Sequence, residues 1–171
     1  MPGPKREYRP ATVAEHKALS HPLRMRILRL CLDEPRTNRE LADRLDANPA
    51  TVLHHVRTLV RTGFLESEPT RAGRRGARER PYRSTGKSWT LEVHEGGVVG
   101  MLAQIEALRD ELVEAGSEAI LTSARLGVRL APDRVSDFQA RFAALVEELK
   151  AADDPTGEGV SLFVVLHRQE R

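Results

Sequence analysis

Apolar residues recur at helical spacing through the first half of the chain, and each run opens on a polar cap. Thr12 and Glu15 form a capping box for a short helix ending at Leu19. Ser20-His21-Pro22 breaks it. Pro22 stands at the first position of a second helix, reaching about Leu32, that turns Leu23, Ile27, Leu28 and Cys31 inward. Thr37 and Glu40 repeat the capping box and open a third helix at Asn38, with Leu41, Ala42 and Leu45 as its apolar positions. After a break at Asp46-Ala47-Asn48, Asn48 is the N-cap of a fourth helix, Pro49 its first residue and Gly63 its C′ residue. At about 100° per residue, Val52, Val56, Leu59 and Val60 share the side expected to be buried. Ala50, Thr51, His54, Arg57, Thr58 and Arg61 share the other.

The pattern then changes period. Phe64 to Glu68 alternates as a short strand, and Tyr82-Arg83-Ser84 resumes an extended pattern after the loop 69–81, which predicts a hairpin with a long tip. Residues 86–97 form a joint, in which Trp89 is expected to pack on the hairpin base or on the helix that follows. From Val98 the helical period returns: Met101, Ile105, Leu108 and Leu112 make a stripe widened by Val98 and Leu102 and ended by Gly116. Ala124, Leu126, Val128 and Leu130 alternate as a strand. Pro132 opens a helix with Val135, Phe138, Phe142, Leu145 and Leu149 on one face, and after a turn at 153–159 Val160–Leu166 reads as an apolar strand. That unit is β-α-β, with its strands expected to lie as parallel neighbours. The fold class is mostly α with α+β character.

Charge sharpens this picture. Residues 1–90 hold 19 Lys and Arg against 10 Asp and Glu, whereas residues 91–171 hold 8 against 15. A near-neutral total therefore hides a basic half, suited to a polyanion, and an acidic half with another task. The outer face of the fourth helix has no carboxylate, and its small residues, hydroxyls, imidazole and guanidinium suit a DNA major groove. The hairpin loop carries Arg71, Arg74, Arg75, Arg78 and Arg80 against the single acid Glu79, a composition that fits phosphates or a minor groove.

Other chemistry is sparse. Cys31 is the sole cysteine, which excludes an internal disulfide and a thiolate cluster, and it falls on an apolar helix face. Glu92 and His94 are two residues apart without a second histidine on the following helix, and His54 and His55 point about 100° apart on a helix, so no metal site is expected. The C-terminal β-α-β unit offers no nucleophile, phosphate loop or paired-acid motif. The expectation is a protein that is not an enzyme and holds no cofactor. With no membrane-length apolar run and no signal-peptide core in MPGPKREYRP, it is expected in the cytoplasm, without a membrane partner.

KALSHPLRMRILRLC, then RELADRLDANPATVLHHVRTLVRTGFLES, then a basic hairpin together resemble an ArsR-type winged helix-turn-helix transcriptional regulator over residues 11–90. The resemblance implies a winged helix-turn-helix at 12–90; residues 1–11, with three prolines and three basic residues, read as a flexible arm, and 91–171, which runs beyond a minimal family member, as a dimerisation and effector region. Within it, Asn38–Leu45 is the supporting helix, Pro49–Thr62 the recognition helix and 64–84 the wing. His55 matches a histidine frequent in the family, while Leu53 stands in place of its serine. Metal-sensing members use paired cysteines, or acid and histidine ligands on a C-terminal dimer helix, and this chain lacks the cysteine pair.

The function so implied is a sequence-specific regulator of transcription, a repressor, bound to double-stranded DNA as a homodimer on a roughly palindromic operator. Its DNA-binding set is Thr37, Arg39, Asn48, Ala50, Thr51, His54, Arg57, Thr58, Arg61, Arg71, Arg74, Arg75, Arg78 and Arg80. Dimerisation falls to Met101, Ile105, Leu108 and Leu112. The C-terminal β-α-β unit is expected to cover the dimer helix, either as plain stabilisation or around a small apolar effector. A winged-helix adaptor whose basic face meets an acidic protein is the alternative.

Overall fold

The computed structural model describes residues 9–73, 78–92, 97–154 and 156–168. Of these, the residues up to Thr122 form one compact unit and those from Ser123 another.

The first unit is built from caps. Thr12 caps α1 (Val13–Leu19), and His21 Nδ1 accepts the Leu23 N–H at the start of α2 (Pro22–Asp33). Thr37 and Glu40 exchange both bonds of a capping box at α3 (Asn38–Arg44), and Asn48 Oδ1 caps α4 (Pro49–Arg61) through the Ala50 N–H at 2.8 Å. Each cap of this kind contributes about 1 kcal/mol. The stops are equally specific. Asp46 takes a left-handed φ of 46° while the Ala47 N–H reaches back to the Ala42 carbonyl. Gly63, at φ 73°, lets the Gly63 and Phe64 N–H groups close on the Val60 and Leu59 carbonyls.

Ile27, Leu28 and Cys31 of α2, Leu41 and Ala42 of α3, Val52, Val56 and Leu59 of α4, and Phe64 and Leu65 beyond it share one core. Val60 departs from the expected buried set. It is 38% exposed, because it sits at the edge of the α4 stripe, where the core no longer reaches.

The hairpin is formed as the alternation predicts, with β3 (Leu65–Ser67) antiparallel to β6 (Pro81–Ser84). Between them β4 (Arg71–Ala72) pairs with β5 (Arg78–Glu79). A third strand, β2 (Arg36–Thr37), joins the other edge of β6, giving the sheet order β2-β6-β3. The start of the chain is less loose than expected. Residues 9–10 form β1 (Arg9–Pro10), parallel to β7 (Leu91–Glu92), and Ala11 is buried; residues 1–8 of the expected arm lie outside the described residues.

The anchor is Glu15, buried at 5% exposure. Its carboxylate accepts from Arg9 at 2.6 and 2.9 Å, from the Thr12 N–H at 2.8 Å, and pairs with Lys87 at 2.6 Å. The Arg9 guanidinium, then Lys87 and the Thr12 N–H, hold this carboxyl far below the usual carboxylate range against the opposing effect of burial. Lys87 begins the short 3-10 turn Lys87–Thr90 that carries the half-buried Trp89. It also donates to the Thr62 carbonyl at 2.6 Å, tying the end of α4 to the same junction.

The long helix α5 (Gly97–Ala115) belongs to this unit and lies against α2 and α1. The residues it buries are small: Gly100, Ala103 and Ala107. Its large apolar stripe points away, leaving Met101 38%, Ile105 41% and Leu112 42% exposed, with Leu108 half-buried.

In the second unit α6 (Pro132–Ala151) forms where Pro132 predicts it, with Arg134 and Arg141 over the Phe138 ring. The two flanking strands of the expected β-α-β unit are not formed among the described residues. A strand needs a ladder partner as well as an alternating pattern. Within one chain Leu126, Val128, Val160, Leu162 and Val164 remain between 47% and 72% exposed.

Candidate nucleic-acid interface

The surface of α4 is the centre of the site. Its buried side seats Val52, Val56 and Leu59 at zero exposure, which fixes the rotation of the helix about its axis. Ala50, Thr51, His54, Arg57 and Arg61 are consequently exposed together. Thr58 is half-buried, and its hydroxyl donates to the His54 carbonyl at 3.1 Å. With no carboxylate from residue 49 to residue 61, the face offers donors and a positive field to an anionic partner.

Two of the expected contact residues also cap helices. Thr37 is buried at 3%, and its hydroxyl accepts the Glu40 N–H, so it orients α3 from within. Asn48 is exposed, but its side-chain oxygen is committed to the α4 cap. Arg39 stands 72% exposed beside Asp43 at 4.0 Å, a pairing loose enough to exchange.

The wing is partly latched. Arg71 donates to Glu40 Oε1 at 2.5 Å, connecting β4 to the capping box of α3. Both side chains are more than 40% exposed, so this pair stabilises by only about 0–1 kcal/mol and is replaceable by a phosphate. Arg78 is exposed and donates to Thr70 Oγ1 at 3.2 Å; Arg80 is exposed. Arg74 and Arg75 lie outside the described residues, as does His94.

Beneath α4 lies a polar junction that periodicity alone does not reveal. Arg24 donates to the Lys17 and Ala18 carbonyls at 2.6 and 2.5 Å and to His55 Nδ1 at 3.3 Å. A guanidinium only donates, so His55 is the neutral Nε2–H tautomer. His55 is 7% exposed, and its ring lies 4.4 Å from that of His21. Burial first, then His21, Arg24 and His54, lower the His55 pKa to about 4. Burial and Arg24 lower that of His21 as well. His55 is thus a buried tie among α1, α2 and α4, and His54 beside it is the exposed member of the pair. The sequence signals are the place of His55 on the flank of the α4 apolar stripe and of Arg24 off the apolar stripe of α2.

Burial pushes the Cys31 thiol up to about 12, which removes it as a nucleophile at neutral pH. Among the described residues no group of three or more His, Cys, Asp and Glu converges. No described helix is long and apolar enough to cross a membrane.

The profile of a helix-turn-helix domain matches residues 19–68, the segment from the end of α1 to the first strand of the hairpin. No curated protein matches the chain. Among solved structures it is similar to reduced HlyU from Vibrio cholerae, at 20% identity and a TM-score of 0.37 over 54% of this chain and 81% of that one. An apo mutant of ZitR from Lactococcus lactis gives 19% and 0.35 over 74% and 81%, and AdcR, an adhesin competence repressor from Streptococcus pyogenes, gives 14% and 0.30 over 81% and 82%. The matched segment holds the capped helices α3 and α4 and the turn between them.

Proposed function

We propose that the protein is a transcriptional regulator, a repressor, that binds duplex DNA with sequence preference as a homodimer. One observation carries this reading: α4 exposes a carboxylate-free face, and the same unit carries the exposed arginines Arg39 on α3 and Arg71, Arg78 and Arg80 on the hairpin. In this reading α4 enters the major groove, where Thr51, His54 and Arg57 meet base edges and set the sequence. The hairpin arginines meet the backbone and set affinity. The stripe Met101–Ile105–Leu108–Leu112 meets its copy in a second protomer, placing two reading heads on a roughly palindromic site. The apolar residues of α6 and of 160–166 are further surface for that second copy.

Selection of binding sites from random duplexes by the intact protein tests the reading, with a two-fold symmetric motif as the expected result. Arg57→Ala or His54→Ala should then alter the preferred bases. A uniform loss of affinity with an unaltered motif would remove these side chains from the reading face. Replacing Arg74, Arg75 and Arg78 together by Ala should leave the motif intact. It should also make the log–log salt dependence shallower by about 0.9 for each phosphate that is no longer neutralised. Salt-sensitive capture of an acidic protein, without duplex binding, would favour the adaptor.

A further inference from the structure

A cleft of about 320 Å³ opens between α1 and the outer edge of α4. Lys17 comes from α1, Arg24 from α2, and His54, Thr58, Arg61 and Thr62 from α4 and its C-cap; the remaining wall is Ala14 and Ala18. None of these lining residues is a carboxylate. The floor is chemically quiet. Thr58 Oγ1 donates to the His54 carbonyl and Thr62 Oγ1 to the Thr58 carbonyl at 2.9 Å, so both hydroxyl protons are turned into their own helix. A base edge, which needs donors and acceptors matched to it, finds little there. A sugar carbon surface resting on alanines and threonine side chains, with an anion at the rim, fits better.

The rim is also prepared electrostatically. The C-terminal end of α1 would present carbonyl oxygens and partial negative charge to the cleft. Arg24 removes that repulsion by donating to the Lys17 and Ala18 carbonyls at 2.6 and 2.5 Å. Lys17 and Arg61 are both exposed, and a flexible ammonium and guanidinium at an open rim can follow a phosphate without being desolvated.

We infer that the α1–α4 cleft is a backbone-phosphate site for duplex DNA, with Lys17 as its main cation and Arg61 as the second. This rests on the DNA-binding reading above and adds to it a phosphate contact from α1, apart from the hairpin. The hairpin is latched to α3 through Arg71 and Glu40, whereas this cleft adjoins α1, so α4 carries backbone anchors from two separate elements. The contact is a positioning one. It fixes how the reading helix sits in the groove and carries no sequence information.

The test uses the intact protein, its selected duplex, and the variants Lys17→Ala and Lys17→Arg. Lys17 is exposed on the last turn of α1, so neither substitution disturbs the core. Lys17→Ala is expected to weaken binding about three- to tenfold at fixed salt and to lower the slope by about 0.9, with the motif unchanged. Lys17→Arg should restore both. Ethylation interference supplies a second readout: one phosphate whose ethylation blocks the intact protein should lose that effect with Lys17→Ala. An unchanged slope and an unchanged ethylation pattern in Lys17→Ala, with normal binding by the intact protein, would overturn the cleft assignment alone. Failure of the intact protein to bind any duplex at low salt would overturn the DNA-binding reading and this site with it.

Discussion

Replacing Ile105 and Leu112 together by Glu is expected to yield a folded monomer whose affinity for a two-half-site duplex falls about 100-fold or more. The two residues lie seven apart on one face of α5 and are 41% and 42% exposed in the single chain. The helix buries Gly100, Ala103 and Ala107 instead, so the charged substitutions leave no cavity in the head. In the proposed dimer each would place an unpaired carboxylate in an apolar seam, at a cost of several kcal/mol per group. A dimer gains on DNA because binding of one head holds the second near its half-site, and that gain disappears with the partner. Sedimentation equilibrium reports the first half of the expectation. Titration of duplexes carrying one or two half-sites reports the second: the intact protein should separate them strongly and the variant hardly at all. A variant that remains dimeric would move the interface away from this stripe.

Acid should destabilise the protein in two separate windows, the first set by His55. In the folded chain this imidazole titrates at about 4, against an ordinary value of 6.5. Between those values the unfolded chain binds the proton and the folded chain does not, so stability rises with pH across the interval. The His55 contribution is complete above pH 6.5, declines as pH falls toward 4, and amounts to about 2–3 kcal/mol. Protonation is disfavoured because the ring is buried, touches His21, and accepts from the permanently charged Arg24. His21 is shifted the same way and would lose its cap on α2, since its Nδ1 is the acceptor for the Leu23 N–H. Glu15 defines the second window. Its carboxyl is held far down, so its stabilisation is full above the ordinary value of 4.5 and is lost only as pH falls further. His55→Gln keeps an acceptor for Arg24 without a titrating proton. Urea unfolding of this variant should show a cost of about 1 kcal/mol at pH 7. Its pH profile from about 6.5 to 4 should be much flatter. A profile identical to that of the unmodified protein would place the acid sensitivity elsewhere.

The elements legible in the sequence were those specified by local chemistry. Thr12, Thr37 and Asn48 announce their helices because a cap satisfies neighbours two or three residues away. Gly63 announces a stop because few other residues accept its φ. The apolar stripe of α4 was readable for the same reason, and with it the exposed face. What escaped was set by distant partners. Two-residue strands such as β1 and β7 carry no periodicity, and their pairing depends on Glu15 holding Arg9 and Lys87 from different parts of the chain. Arg71 looked like one wing arginine among five until the fold brought Glu40 to it. Lys17 carried no signal, since its role depends on which edge of α4 faces α1. The segments 124–130 and 160–166 show the converse limit. Alternation records that one side of a strand should be apolar, but not where its ladder partner comes from.

The small-residue seam of α5 has a mechanical consequence. A helix seated through glycine and alanine packs closely, and the longer side chains at the margin of the joint are ionic, Glu111 beside Arg29 and Arg26 of α2. Arg26 and Arg44 reach Glu114 near the far end of the same helix and restrain it against swivelling. The head and α5 therefore behave as a single stiff arm. Joined along the α5 stripe in the proposed dimer, two such arms would act as callipers: a slight rocking at that seam reappears as a change in span between the two reading helices. One base-pair step is only about 3.4 Å, so a modest tilt is enough to throw the pair out of phase with the groove.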